Sequence, residues 1–271
     1  MRLRRDRPKG PVVNESDADK VPRSRRLLDP RDPPPFIVTN PGGSSPFLLL
    51  GDHAGRAIPR SLGDLGLPPE AMDRHIAWDI GVEGLGLRLA KARDACFIRQ
   101  TYSRLVIDCN RRPEAPDAMA QIADGVVVPG NVGLSPAGAQ ARLEGIWRPY
   151  HDAIDRLLDQ RNTQGRQTAL VSLHSFTPRM DGIARPWRYG VLHRGDSALS
   201  ARVLALLQAK FGDEAGDNRP YAMDGTDNTI PLHADPRGLD YLELEVRQDL
   251  IDHDDGLDQV AAMIAQLLGS V

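Results

Sequence analysis

The chain predicts an α/β fold: a single three-layer domain whose sheet is mixed or mostly parallel. Three observations carry that expectation. Short apolar runs of strand length alternate with amphipathic helical stretches. Two of those runs, Phe47–Leu50 and Thr168–Leu173, lead directly into a histidine, His53 and His174. Apolar runs bounded by turn residues read as buried strands, and ligands of open α/β sheets collect just beyond strand carboxyl ends. Finally, 271 residues at 41% hydrophobic and 26% charged are ordinary for a globular protein that buries its core without staples.

The elements follow in order. Residues 1–35 carry Arg2, Arg4, Arg5, Arg7, Lys9, Arg23, Arg25 and Arg26 and close on Pro33-Pro34-Pro35. Low hydrophobicity and high charge predict a mobile tail there, with a basic nucleic-acid arm as the functional alternative. The folded domain is expected over 36–271. Phe47 to Leu50 is a strand. Pro68-Pro69-Glu70 opens a helix that runs towards Lys91, proline being favoured at the first helical position. Ala95 to Ile98 and Leu105 to Ile107 are strands, and Arg112 to Gly133 is a long loop of the kind that tends to be functional. Ser135-Pro136 caps a helix reaching about Gln160, with a kink or break forced by Pro149. The strand ending at His174 follows, then a strand from Tyr189 to His193 and a helix capped by Asp196 that continues through Lys210. Tyr241 to Arg247 alternates strictly, so Glu243, Glu245 and Arg247 share one face. A last helix covers roughly Leu257 to Leu268.

Bulk charge narrows the function classes. A net charge of −3 and a pI near 6.2 give no global reason to expect nucleic acid or a membrane surface as partner. No run of about 18 apolar residues exists to span a bilayer. Cys96 and Cys109 both sit in apolar stretches, so they read as small hydrophobes in a reducing cytoplasm.

Chemistry concentrates in a few residues. His53 and His174, delivered by separate strands, suit one zinc ion. His75, Asp79 and Glu83 follow at i, i+4 and i+8, which on a helix is one face; a carboxylate from it would complete a His-His-carboxylate site with a position left open for water. The alternative is a polar outer helix face. Glu243 and Glu245 place charge where a buried strand wants none. Either they pair internally with Arg247 or Glu245 serves as a general base. Arg104 and the Asn110-Arg111 pair flank an apolar run; arginine's planar fork matches a carboxylate, and Arg104 is placed to polarise a carbonyl.

These blocks resemble a known family. Gly51-Asp52-His53-Ala54-Gly55 with Ile58-Pro59, Tyr102-Ser103-Arg104 through Arg111, Leu173-His174-Ser175-Phe176, and Leu244-Glu245-Val246-Arg247-Gln248-Asp249-Leu250 are similar, in that order, to the N-formylglutamate amidohydrolases. Those enzymes look like a branch of the zinc carboxypeptidase and aspartoacylase group. The resemblance implies a phosphorylase/hydrolase-like fold and Zn2+ as cofactor. It implies His53 and His174 as zinc ligands and Glu245 as catalytic base. Asn110 and Arg111 would hold the substrate carboxylate, with Arg247 counted among the substrate-binding residues, and Arg104 would polarise the scissile carbonyl. The His-x-x-Glu of carboxypeptidases is absent, since Arg56 stands three residues after His53, so the third ligand comes from elsewhere: Asp79 is preferred over Glu83 and His75. Where the family carries Trp-His-Val-Asp, this chain has Arg74-His75-Ile76-Ala77-Trp78-Asp79, so its substrate is open to differ from N-formylglutamate. The expected function is zinc-dependent removal of a formyl-like group from a small N-acyl amino acid such as N-formylglutamate. The rivals are a non-catalytic small-molecule binding module and a carboxypeptidase-like peptidase. Oligomeric state is not legible.

Overall fold

The computed structural model describes residues 26–271. Seven strands form one mixed sheet: β1 (Phe36–Thr39), β2 (Phe47–Gly51), β3 (Cys96–Gln100), β4 (Ala169–Phe176), β5 (Tyr189–Leu192), β6 (Ala215–Asp217) and β7 (Asp240–Arg247). Their spatial order is β1-β3-β2-β4-β7-β5-β6. The four central strands β3, β2, β4 and β7 run parallel, while β1 pairs antiparallel with β3 and β5 antiparallel with β7. From β2 the chain crosses to β3 on one side and later returns to β4 on the other. The carboxyl ends of β2 and β4 therefore flank a topological switch point, where a crevice opens in sheets of this kind.

Two apolar layers sandwich the sheet. On one face, Leu49, Phe97, Val171, Leu173, Leu242 and Leu244 pack against α1 (Val82–Arg93) and two later helices, α4 (Ala198–Phe211) and α6 (Asp254–Leu268). On the other, Leu48, Leu50, Ile98 and Leu170 pack against α3 (Arg148–Thr163), through Tyr150, Ile154 and Leu158, and against the short α5 (Thr229–His233). The parity of β4 and β7 assigns Leu170, Ser172 and His174, with Tyr241, Glu243 and Glu245, to this second face. Its apolar lower part thus gives way to polar groups at the carboxyl end.

Helix α2 (Pro136–Arg142) begins where Ser135 Oγ accepts the Gly138 N–H at 3.1 Å, and it leads through a π-turn, Leu143–Trp147, into α3. The π-turn sits just before Pro149, whose missing N–H would otherwise leave a gap in an α-helical ladder.

Several expectations are corrected. The helix expected from Pro69 is only a 3-10 turn, Pro69–Asp73; α1 begins at Val82. Gly81, with φ +85°, reverses the chain there, and a Cβ at this position would lie 2.2 Å from the Ile251 carbonyl oxygen. The Asp79 N–H bonds the His53 carbonyl at 2.8 Å, so segment 74–81 is shaped by tertiary contacts rather than by helical periodicity. Leu105 to Ile107 is a turn, not a strand. Ser103 closes it by accepting the Leu105 N–H on its hydroxyl at 3.1 Å and the Val106 N–H on its carbonyl at 2.9 Å. Ser197, not Asp196, caps α4, through the Ser200 N–H at 3.0 Å. Edge strands β1 and β6 and the short α5 were not anticipated.

The expected tail divides as well. Residues 26–35 dock on the domain: Leu27 is buried in the core, and Tyr102 Oη donates to the Pro33 carbonyl at 2.6 Å. The basic stretch before Arg26 lies outside the described residues.

Candidate active site

β2 and β4 deliver His53 and His174 to the crevice, and the chain between them supplies Asp79. All three are buried, and one donor atom from each lies within 4.8 Å of the other two. The geometry is set from behind. His53 Nε2 donates to Asp108 Oδ1 at 2.7 Å, which leaves Nδ1 facing Asp79 Oδ2 at 3.4 Å. His174 Nε2 lies 3.1 Å from Ser172 Oγ, with Nδ1 3.0 Å from the same Asp79 oxygen. Each imidazole is thus tethered at its remote nitrogen and presents Nδ1 inward, the support that metal-ligating histidines usually receive. His53 Nδ1 is buried without a hydrogen-bond partner.

Electrostatics agree with that picture. Burial would raise the Asp79 carboxyl, but His53 and His174 outweigh it and hold the group far below the usual range. Burial likewise opposes the His174 imidazolium, yet Asp79 raises it to about 10. A cluster that binds protons this firmly is one that a divalent cation occupies by displacing them. Two histidine nitrogens and one carboxylate oxygen also match the donor set of a catalytic zinc centre with an open position. The residues fit the metal.

Glu245 stands beside His174 in the parallel register of β7 and β4, and Glu243 beside Ser172. Glu245 Oε2 is buried and unpartnered. Burial pushes the Glu245 carboxyl up to about 7 and that of Glu243 up to about 8. Arg247 is not their partner: it pairs with Asp249 at 2.8 Å, beyond the end of β7 and outside the cavity. This corrects both its substrate-binding assignment and the alternative of an internal Glu–Arg pair.

Arg104 is gripped by Asp108 at 2.7 Å and by Asp79 at 3.5 Å, and faces the cavity. Arg111 lines the same cavity, with Nε donating to Asp117 at 2.8 Å and Nη1 3.8 Å from Asp227. Asn110 lies in the wall, but its amide is engaged within the protein: Oδ1 accepts from the N–H groups of Asn228 and Thr229 at 3.0 and 2.9 Å, and Nδ2 donates to Asp227 at 3.3 Å. His75 borders the cavity beside Asp124, apart from the three-residue cluster. Glu83 pairs with Arg99 at 2.5 Å outside the cavity.

Asp108 was missed by sequence reasoning although it begins the Asp108-Cys109-Asn110-Arg111 block. It binds His53, Arg104 and the Asn110 N–H at once. Its block is anchored from below, where His151 Nε2 donates to the Cys109 carbonyl at 2.9 Å and the other His151 nitrogen meets His233 at 2.8 Å. Glu243 was noted for its charge but given no place in the site. The cavity enclosed by these groups measures about 390 Å3.

Comparison with known proteins accords with this geometry. A gene product of Agrobacterium tumefaciens superposes with a TM-score of 0.87 at 33% identity, covering 90% of this chain and 97% of that one. The N-formylglutamate amidohydrolase of Ralstonia eutropha shares the fold, with a TM-score of 0.67 at 19% identity over 86% of this chain and 95% of its own. An N-formylglutamate deformylase of Pseudomonas putida is 31% identical over 151 residues, 49% of this chain; the chain spans about half (53%) of that relative's length. Residues 45–252 match the N-formylglutamate amidohydrolase family model, and the chain belongs to that family.

Proposed function

We propose that this protein is a zinc-dependent cytoplasmic amidohydrolase that removes a small acyl group, formyl first, from the nitrogen of an amino acid, as in N-formylglutamate. The observation that carries the reading is the convergence of two tethered imidazoles and a carboxylate beside the buried, unpartnered Glu245. A binding module needs no carboxylate held near neutrality in such a place. A peptidase calls for room for a chain, whereas a cavity of about 390 Å3 suits a small molecule.

His53, Asp79 and His174 would hold the zinc, which supplies Lewis acidity and a water acidified towards ~7. The remaining work belongs to the protein. Glu245, with its carboxyl near neutrality, takes a proton from the attacking water at Oε2 and returns it to the departing nitrogen as the C–N bond breaks. Arg104, fixed by Asp108, offers N–H groups to the carbonyl oxygen as charge develops on it. Arg111 receives the α-carboxylate. No helix of the described residues is long and apolar enough to cross a membrane, and both cysteines are buried and free, in keeping with a reducing compartment.

The test is elemental analysis of the purified protein together with formate release from N-formyl amino acids. About one zinc per chain is expected, with metal and activity both lost in the His53→Ala, His174→Ala double variant. Full zinc occupancy in that variant would remove the basis for the proposal.

A further inference from the structure

We infer that Arg185, together with the Tyr221 hydroxyl, receives a second carboxylate at the end of the substrate's side chain and so sets a preference for dicarboxylic N-acyl amino acids. The inference rests on the amidohydrolase reading and assigns a residue to the substrate's far end in the same cavity.

A short hairpin brings Arg185 there. Just beyond β4, Arg179–Met180 pairs antiparallel with Ile183–Ala184. Asp181 and Gly182, with φ of +51° and +76°, make the two-residue turn between them. The Arg185 N–H closes the base of the hairpin on the Pro178 carbonyl at 2.9 Å. The strand that carries His174 therefore also fixes the backbone of Arg185. Its half-buried side chain turns onto the cavity wall. Nη1 donates to Tyr221 Oη at 3.0 Å and Nη2 lies 2.7 Å from Met180 Sδ, and both partners line the cavity. The guanidinium also lies over the Tyr221 ring, 4.9 Å from its centroid.

Other arginines at the cavity already hold carboxylates. Arg104 is held between Asp79 and Asp108, Arg111 between Asp117 and Asp227, and Arg74 reaches Asp124. Asp224 accepts from the Thr226 N–H and hydroxyl, both at 2.7 Å. The acids of the wall are thus matched, whereas Arg185 makes no ion pair among the described residues.

A phenol oxygen and a thioether are poor partners for a guanidinium, whose planar fork suits a carboxylate through two parallel bonds. Sulfur accepts weakly and the methionine side chain is adaptable, so a carboxylate arriving from the cavity displaces Met180 Sδ at small cost. Tyr221 Oη accepts from Arg185 and donates to no described group, which leaves its proton for the same carboxylate. Arg111 and Arg185 share no contact residue: one leans on Asp117 and Asp227, the other on Met180 and Tyr221. Arg111 takes the α-carboxylate, and Arg185 is the cation left for the side chain.

The experiment measures kcat/KM of the zinc-loaded enzyme, and of its Arg185→Gln, Arg185→Lys and Tyr221→Phe variants, on N-formylglutamate and N-formylglutamine. The two compounds differ only in the terminal group. The unaltered enzyme should prefer the glutamate derivative, and Arg185→Gln should shrink that preference by about 10–100-fold, the range for losing a hydrogen-bonded charge, mainly through KM. Arg185→Lys keeps the charge without the fork and should fall between the two. Tyr221→Phe should cost a few-fold on the glutamate derivative. A merely structural role for Arg185 would lower both compounds alike and leave their ratio in place. An Arg185→Gln ratio within about threefold of the unaltered one overturns the inference; so does an unaltered enzyme that turns over the glutamine derivative as well as the glutamate one. If neither compound is hydrolysed, the amidohydrolase reading fails, and calorimetric titration of the same two compounds decides the question. Tighter binding of the glutamate derivative that Arg185→Gln abolishes supports the inference. Equal binding of the two, binding that Arg185→Gln leaves in place, or no binding at all ends it.

Discussion

Asp108→Asn isolates the tether behind the proposed metal centre. The carboxylate makes three contacts of 2.7–2.8 Å, to His53 Nε2, Arg104 Nη2 and the Asn110 N–H. The amide oxygen of asparagine can still accept from His53 and from the Asn110 backbone. Its amide nitrogen, however, must face the Arg104 guanidinium, donor against donor, and the negative charge that makes His53 a stronger base is gone. Loss of such a supporting partner costs about 10–100-fold in metal affinity, equivalent to about 1.4–2.7 kcal/mol. Zinc affinity measured by competition with a chromophoric chelator should fall by that factor. Activity at saturating zinc should stay depressed, because Arg104 has lost its shorter anchor. An unchanged zinc dissociation constant would show that Asp108 does not orient His53, and would refute the account of why Nδ1 points inward.

Glu245→Gln should retain zinc while kcat collapses, whereas Arg111→Ala should raise KM more than it lowers kcat; equal kcat losses with unchanged KM would contradict that division. Metal-free protein should melt at a lower temperature at pH 9 than at pH 6.5. His174, raised to about 10, and the glutamates, raised to about 7 and about 8, all bind protons more tightly in the folded state, so stability declines as pH rises through this window. Added zinc should offset that decline, and a flat profile in calorimetric scans of the metal-free protein would count against it. Gly55→Ala should destabilise the fold by several kcal/mol in denaturant titration, since its Cβ would lie 2.1 Å from the Thr101 carbonyl oxygen, in the strand-to-loop passage that carries His53. A cost under ~1 kcal/mol would mean the two segments separate easily.

The central strands were legible because each is a continuous apolar run, the mark of a strand covered on both faces. Phe36–Thr39 and Ala215–Asp217 were not, being short edge strands whose pairing is decided by their neighbours. The most instructive failure is the stretch around Asp79. Its spacing from His75 and Glu83 suggested a helical face, yet Asp79 is brought to the histidines by a backbone bond to His53 and a turn at Gly81. Such contacts leave no periodic trace. Arg247 failed for the opposite reason. It obeys the strand's alternation, but it comes at the strand's last residue, where Asp249 two positions on draws it out of the cavity.

The placement of the site's parts bears on how freely a family's activity passes between its members. His174, Glu243 and Glu245 belong to central strands, and His53 follows one by two residues; replacing any of them disturbs a layer packed on both sides. Three further acids of the cavity wall, Asp117, Asp124 and Asp224, are exposed and sit instead on surface connections, where residues change at little cost to folding. The groups proposed for the reaction and the outer wall of the cavity can therefore change separately in this architecture. Descendants of one ancestor can keep the bond they break while drifting in the molecule they break it in.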